Sequence, residues 1–176
     1  MHVRIASLAL VGTVGLLAVP AATAAPPHGA VVASANGGVH WTIPLPNPFG
    51  VEVRNQPLAF NARKYEDGSA TGRFEYHQVV EGESFNFNVD VTCMNIYDGN
   101  RAKIGGVIEV SNDPTLPPGV FAWFQVFDNG EGADAPPDQS SLVGFGDEEA
   151  NEAFCNSPAL PRFGPWDVQG NVQVRA

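Results

Sequence analysis

The stretch SFNFNVDVTC, Ser84 to Cys93, decides the fold class. Its apolar residues, Phe85, Phe87, Val89, Val91 and Cys93, alternate with Asn86, Asn88, Asp90 and Thr92. A strict period of two sends one set to each side of the backbone, which predicts a β-strand with one dry and one wet face. In this reading Cys93 belongs to the dry face. The C-terminal stretch WDVQGNVQVR alternates in the same way. Trp166, Val168, Val172 and Val174 are expected inward, and Asp167, Gln169, Asn171, Gln173 and Arg175 outward.

Four further stretches carry strand patterns: LAFNARKYE (Leu58–Glu66), TGRFEYHQV (Thr71–Val79), RAKIGGVIEVS (Arg101–Ser111) and VFAWFQVF (Val120–Phe127). Asp-Gly pairs in EDGS (Glu66–Ser69) and YDGN (Tyr97–Asn100) supply residues that tolerate the positive φ of tight hairpins. Gly105-Gly106 inside a strand predicts a bulge or sharp coil. One short helix is expected at DEEANEAFC, Asp147–Cys155, with acids in its first turn where the helix dipole favours them. Consecutive strands joined by hairpins form an antiparallel meander. The expected fold is therefore a single all-β domain over residues 39–176, a barrel or barrel-like sandwich of about eight strands with one short helix.

VFAWFQVF departs from simple alternation. Val120, Ala122, Phe124 and Val126 make one face, yet Phe121, Trp123 and Phe127 make the other apolar as well. Such a strand is covered on both sides or offers an aromatic wall to a ligand. Covering by the helix or by a proline-rich loop is expected, and Phe121, Trp123 and Phe127 are the ligand-binding candidates otherwise.

The N-terminal residues read as an export signal. MHVR is positive, IASLALVGTVGLLAVP is apolar, and Ala22 and Ala24 supply a small-residue cleavage site. The apolar run is shorter than the ~20 residues of a spanning helix. Cleavage after Ala24 removes residues 1–24 and leaves 152 of the 176. A Pro/Gly/Ala-rich segment, residues 25–38, is then expected as a flexible lead. The prolines of IPLPNPFG, Ile43–Gly50, exclude a helix or central strand and predict an extended edge or long loop.

Arg4 is the only charged residue lost with the signal, so a formal charge of −10 becomes −11. This repels nucleic acid and anionic membrane surfaces. The expected product is a soluble monomer, secreted to the extracellular space or periplasm, whose partner is a small molecule or protein. Cys93 and Cys155 are the two cysteines, and in an oxidising compartment they are expected to pair. A reactive thiol would need an activating neighbour such as His, and none lies nearby in sequence.

Between Lys103 and Arg162 there is no basic residue, while ten acids occupy the interval. They include four in DNGEGADAPPDQSS, Asp128–Ser141. Asp128, Asn129, Glu131, Asp134 and Asp138 are candidate calcium ligands, but their spacing does not match an EF-hand loop, and Gly130 and Gly132 offer only carbonyls. Lacking basic partners, these acids are expected to prefer water, making the loop an ordered, solvent-exposed connection without a tight metal site. The catalytic candidates are Arg73, Glu75 and His77 of RFEYHQ, which period two places on one strand face. In a barrel mouth they could form a polar site, with Glu75 orienting the imidazole. A solvent-facing strand of mixed charge is the plainer alternative. No nucleophile elbow, Walker loop or dinucleotide fingerprint occurs, and no cofactor is expected.

Three segments, FNARKYEDGSATGRFEY, VTCMNIYDGNRAKIGGVI and DNGEGADAPPDQSS, resemble a loose group of uncharacterised exported bacterial β proteins. That group carries a Cys…GNRAxIGG segment followed by a DNGEGxxxPPD loop. The resemblance covers Phe60 to Ser141, with Tyr97-Asp98 inserted before Gly99-Asn100, and it implies export and a β fold but no catalytic residue. The expected function is a non-enzymatic β-barrel binding or interaction module. The alternative is a small secreted hydrolase or cyclase with a polar site in the barrel mouth.

Overall fold

In a computed structural model that describes residues 28–43, 53–80, 82–161 and 164–176, strands follow one another along the chain. They are β1 (Val31–Ile43), β2 (Val53–Tyr65), β3 (Ala70–Val80), β4 (Glu83–Tyr97), β5 (Arg101–Ser111) and β6 (Phe121–Phe127). Short strands β7 (Gln139–Ser140) and β8 (Gly144–Gly146) precede the helix α1 (Glu148–Asn156). Strands β9 (Trp166–Asp167) and β10 (Gln169–Arg175) complete the chain. Every pairing is antiparallel, in the order β10-β1-β2-β3-β4-β5-β6-β7-β9, with β8 on the other half of β6. The two Asp-Gly turns have the expected chemistry: Asp98 and Gly99 sit at φ +57° and +81°, and Gly68 at +86°.

The expected signal, residues 1–24, and nearly all of the proline segment lie outside the described residues. The lead does not run to Gly38: β1 begins at Val31. Its small residues fit there because the strand is paired on both sides, with β2 and β10. Gly37 shows the constraint. A Cβ on it would lie 2.8 Å from the Phe60 ring and 2.5 Å from the Asn171 carbonyl.

The sheet curls into a nearly closed barrel. β9 pairs with β7 and runs on through Val168 into β10, so the two ends of the strand order are joined by the chain itself. The interior is filled by inward side chains. Phe124 lies at its centre, edge-on to Phe60 at 5.2 Å and Phe74 at 5.0 Å between centroids. Trp41, Tyr76 and Phe87 form a second aromatic group, with centroids 5.8 and 5.1 Å apart in sequence along it. Such rings bury roughly 150–250 Å² each and dominate core energetics. Leu58, Val89, Ile104, Ile108, Val126 and Val172 fill the spaces between them.

Cys93 does not lie on the inner face. The β4–β5 register shifts between Val91 and Cys93, so Met94 takes the inward position and Cys93 turns outward. The extra residue sits in β4, and Gly105-Gly106 is its partner rather than the bulged segment. A Cβ on Gly106 would meet the Asp90 carbonyl at 2.0 Å, so glycine allows the bulged backbone to approach.

Turned outward, Cys93 bonds Cys155 of α1 across 6.2 Å between Cα atoms. The helix packs on the outer side of β4, β5 and β6. Asp147 caps its start by accepting from the Ala150 amide at 2.9 Å. Its last turn has no basic residue, and the sheet supplies the donors instead. Lys103 Nζ donates to the Phe154 carbonyl at 3.2 Å, while Tyr97 Oη and Asn95 Nδ2 donate to the Cys155 carbonyl at 2.6 and 3.0 Å. Gly105 makes room for the helix, since a Cβ there would lie 2.0 Å from Asn151 Oδ1. Among the described residues no helix is long and apolar enough to cross a membrane.

Candidate functional site

Odd-numbered residues of β3 point away from the barrel, because Phe74 and Tyr76 point in. Arg73, Glu75 and His77 therefore lie on the convex outer surface, outside the barrel interior. Arg73 is 61 % exposed and donates Nη2 to Asp90 Oδ1 at 2.9 Å, across the β3–β4 pair. His77 Nε2 is 3.1 Å from Ser84 Oγ. Glu75 is exposed. The three share a strand face as the alternation requires, but two of them have turned to separate partners on β4. A convex face gives them no enclosure from water.

Strand register arranges this outer surface in rungs. Gln173, Asn36, Asn61, Arg73 and Asp90 are successive partners from β10 to β4. The adjacent rung runs Asn171, Gly38, Ala59, Glu75, Asn88. Ala59 of the second rung is small, and the surface dips over it beside Gly37. The dip is a shallow groove of about 260 Å³, bordered by Asn61, Arg73 and Glu75 with Ala59 on its floor. Side-chain amides present both a donor and an acceptor, so the Asn and Gln residues of this face can hydrogen-bond a ligand without charge.

The acidic loop meets one side of this surface. Asp138 is buried, accepting from the amides of Asn129 at 2.9 Å and Val172 at 2.7 Å. Asp128 Oδ2 accepts from the Val174 amide at 2.9 Å and Oδ1 from Gly130 at 3.0 Å. Glu131 Oε1 takes Asn171 Nδ2 at 3.3 Å. The expectation that all these acids prefer water is corrected at Asp138 and Asp128: backbone N–H groups of β10 stand in for basic side chains. Two carboxylates thus complete the ladder where β6 and β10 do not pair directly. Asp134 remains exposed, and Asn129 Nδ2 donates to the Pro137 carbonyl at 2.6 Å. No group of three or more His, Cys, Asp or Glu able to hold a metal occurs among the described residues.

Of the aromatic candidates, Trp123 is stacked on Phe154 of α1 at 5.9 Å, so the helix covers it as expected. Phe121 lies opposite Gly146 of β8, and Phe127 opposite Gln139 of β7. All three are half-buried by these neighbours. They form no open wall.

One cluster at the barrel end brings together residues that lie far apart in sequence. His28 Nδ1 lies 3.4 Å from Asp67 Oδ2 and 3.2 Å from Ser69 Oγ, and Ser69 Oγ donates to Asp67 Oδ1 at 2.6 Å. A catalytic relay needs serine and carboxylate on opposite ring nitrogens. Here both meet the same nitrogen, in an exposed hairpin, so the set fixes the turn. Ser69 holds the Asp67 carboxyl below its ordinary range. Inside the barrel, burial pushes the Tyr76 hydroxyl well above the usual phenol range, and it donates to Gln56. Comparison with family models, with curated proteins and with solved structures finds no match to this chain.

Proposed function

We propose that this is an exported, non-enzymatic binding module that engages its ligand on the outer face of β1, β2 and β3. The observation that carries this reading is the aromatic packing around Phe124, which occupies the barrel interior and leaves ligand contacts to the exterior. On that exterior, the groove over Ala59 is bordered by amide-rich rungs. Neutral, hydroxyl-rich ligands match it, because each hydroxyl both donates and accepts and the amides do the same. Export is supported by the N-terminal sequence pattern, by the Cys93–Cys155 bond and by the resemblance to exported bacterial β proteins. The hydrolase or cyclase alternative draws no support from Arg73, Glu75 and His77, which sit on a convex surface with separate partners.

The test is equilibrium binding to a panel of neutral oligosaccharides, comparing the natural protein with Ala59→Trp. Ala59 is exposed, so tryptophan there fills the groove without entering the core. Binding by the natural protein and its loss in the variant, at unchanged melting temperature, is the expected result. Equal binding by both, no binding across the panel, or catalytic turnover of an oligosaccharide rejects the reading.

A further inference from the structure

Arg101 and Lys103 point outward from β5, where alternation would leave them in water. Instead they are 5 % and 2 % exposed, in a chain of net charge −10. The neighbours of α1 and the β4–β5 turn enclose them. Lys103 Nζ lies 4.5 Å from the centre of the Phe154 ring, and the Arg101 guanidinium 5.1 Å from that of Tyr97. Among the described residues the single carboxylate on this pair is Asp98, 2.9 Å from Arg101 Nη2 and itself 76 % exposed. Opposite Lys103 in the β5–β6 register stands Gln125, fully buried, with neither side-chain atom hydrogen-bonded; Arg101 Nε is also unpartnered. Two buried cations with one solvent-facing acid are an electrostatically incomplete set, and unpaired buried amide groups add to the penalty. Burial first, and Arg101 second, hold the Lys103 ammonium below its ordinary pKa.

We propose that Arg101, Lys103 and Gln125 form the binding site of a small oxyanion, either the carboxylate of an organic acid or free inorganic phosphate. Both ligands carry the same recognised chemistry, negatively charged acceptor oxygens. Arg101 Nε, the remaining protons of Lys103 and the Gln125 amide are the donors. This site lies on the β5–β6 side under α1 and is independent of the groove over Ala59.

The experiment is thermal melting at fixed ionic strength, with sodium acetate or sodium phosphate replacing sodium chloride. A saturable rise of several degrees, at about a hundred-fold excess over Kd, is expected with at least one of them. A rise with acetate alone identifies a carboxylate ligand, and a rise with phosphate alone the inorganic one. The second arm is Gln125→Glu, which supplies the anion from the chain itself. It is expected to melt above the natural protein in chloride and to lose the response. Gln125→Leu, which removes the amide at similar size, is expected to fold and respond more weakly. A natural protein indifferent to both anions overturns the proposal. So does a Gln125→Glu protein that melts below the natural one, because that means a neutral gap in which a carboxylate is unwelcome.

Discussion

Asp138 accepts amides from two segments far apart in sequence, Asn129 in its own loop and Val172 in β10. A carboxylate serves both because it has only acceptor oxygens. Asparagine has one such oxygen and would turn its NH2 toward an N–H group. Asp138→Asn is therefore expected to destabilise the fold by about 1–3 kcal/mol, the range for leaving a buried donor unsatisfied. Asp134→Asn, at an exposed position, is expected to be neutral within about 0.5 kcal/mol. Urea denaturation of the two variants checks both values. The sequence alone hid this role. Four acids without nearby bases read as a solvated loop, and the donors that hold two of them are backbone groups of a strand 34 and 46 residues further on. Arg101 and Lys103 were hidden for a related reason: period two places them outward, and only the helix laid over that face buries them.

At the scale of elements, the alternation of Ser84–Cys93 and the Asp-Gly turns located the hairpins, and Asp147 with the following acids located α1. What alternation could not reveal is the parity change between Val91 and Cys93, where one extra residue moves every later side chain of β4 to the other face. That change puts Cys93 under the helix rather than in the barrel. β6 is apolar on both sides for a separate reason: its inner face meets the core and its outer face meets α1. The disulfide should accordingly matter most for the helix. Replacing both Cys93 and Cys155 by alanine is expected to lower stability by about 2–5 kcal/mol. It is also expected to raise hydrogen exchange at Asn151 to Cys155 before that of β2 and β3. Uniform loss of protection across the barrel, or none in the helix, contradicts this assignment.

The molecule as a whole is a meander that returns on itself. The all-β class and the order of β2 to β6 were legible because those strands are apolar and bounded by turn residues, whereas β1 (Val31–Ile43) was in large part legible only as a lead, because its small residues carry no such pattern. Closure was not, because it depends on two-residue strands β7 and β9 and on carboxylate-to-backbone bonds that carry no periodicity. Nor was the state of the interior, since period two predicts a dry inner face without saying whether the rings meet at the centre. Among the described residues they do meet, Phe124 lying 5.2 Å from Phe60 and 5.0 Å from Phe74 between centroids, which fills the interior they enclose. The direct measurement is thermal unfolding with and without saturating benzene, for the natural protein and for Phe124→Ala. Benzene is expected to leave the natural protein's melting temperature unchanged. The Phe124→Ala protein is expected to be less stable by about 3–5 kcal/mol and to recover part of that loss with benzene, which occupies the apolar space left behind. A saturable stabilisation of the natural protein by benzene would contradict the account and place a ligand site inside the barrel.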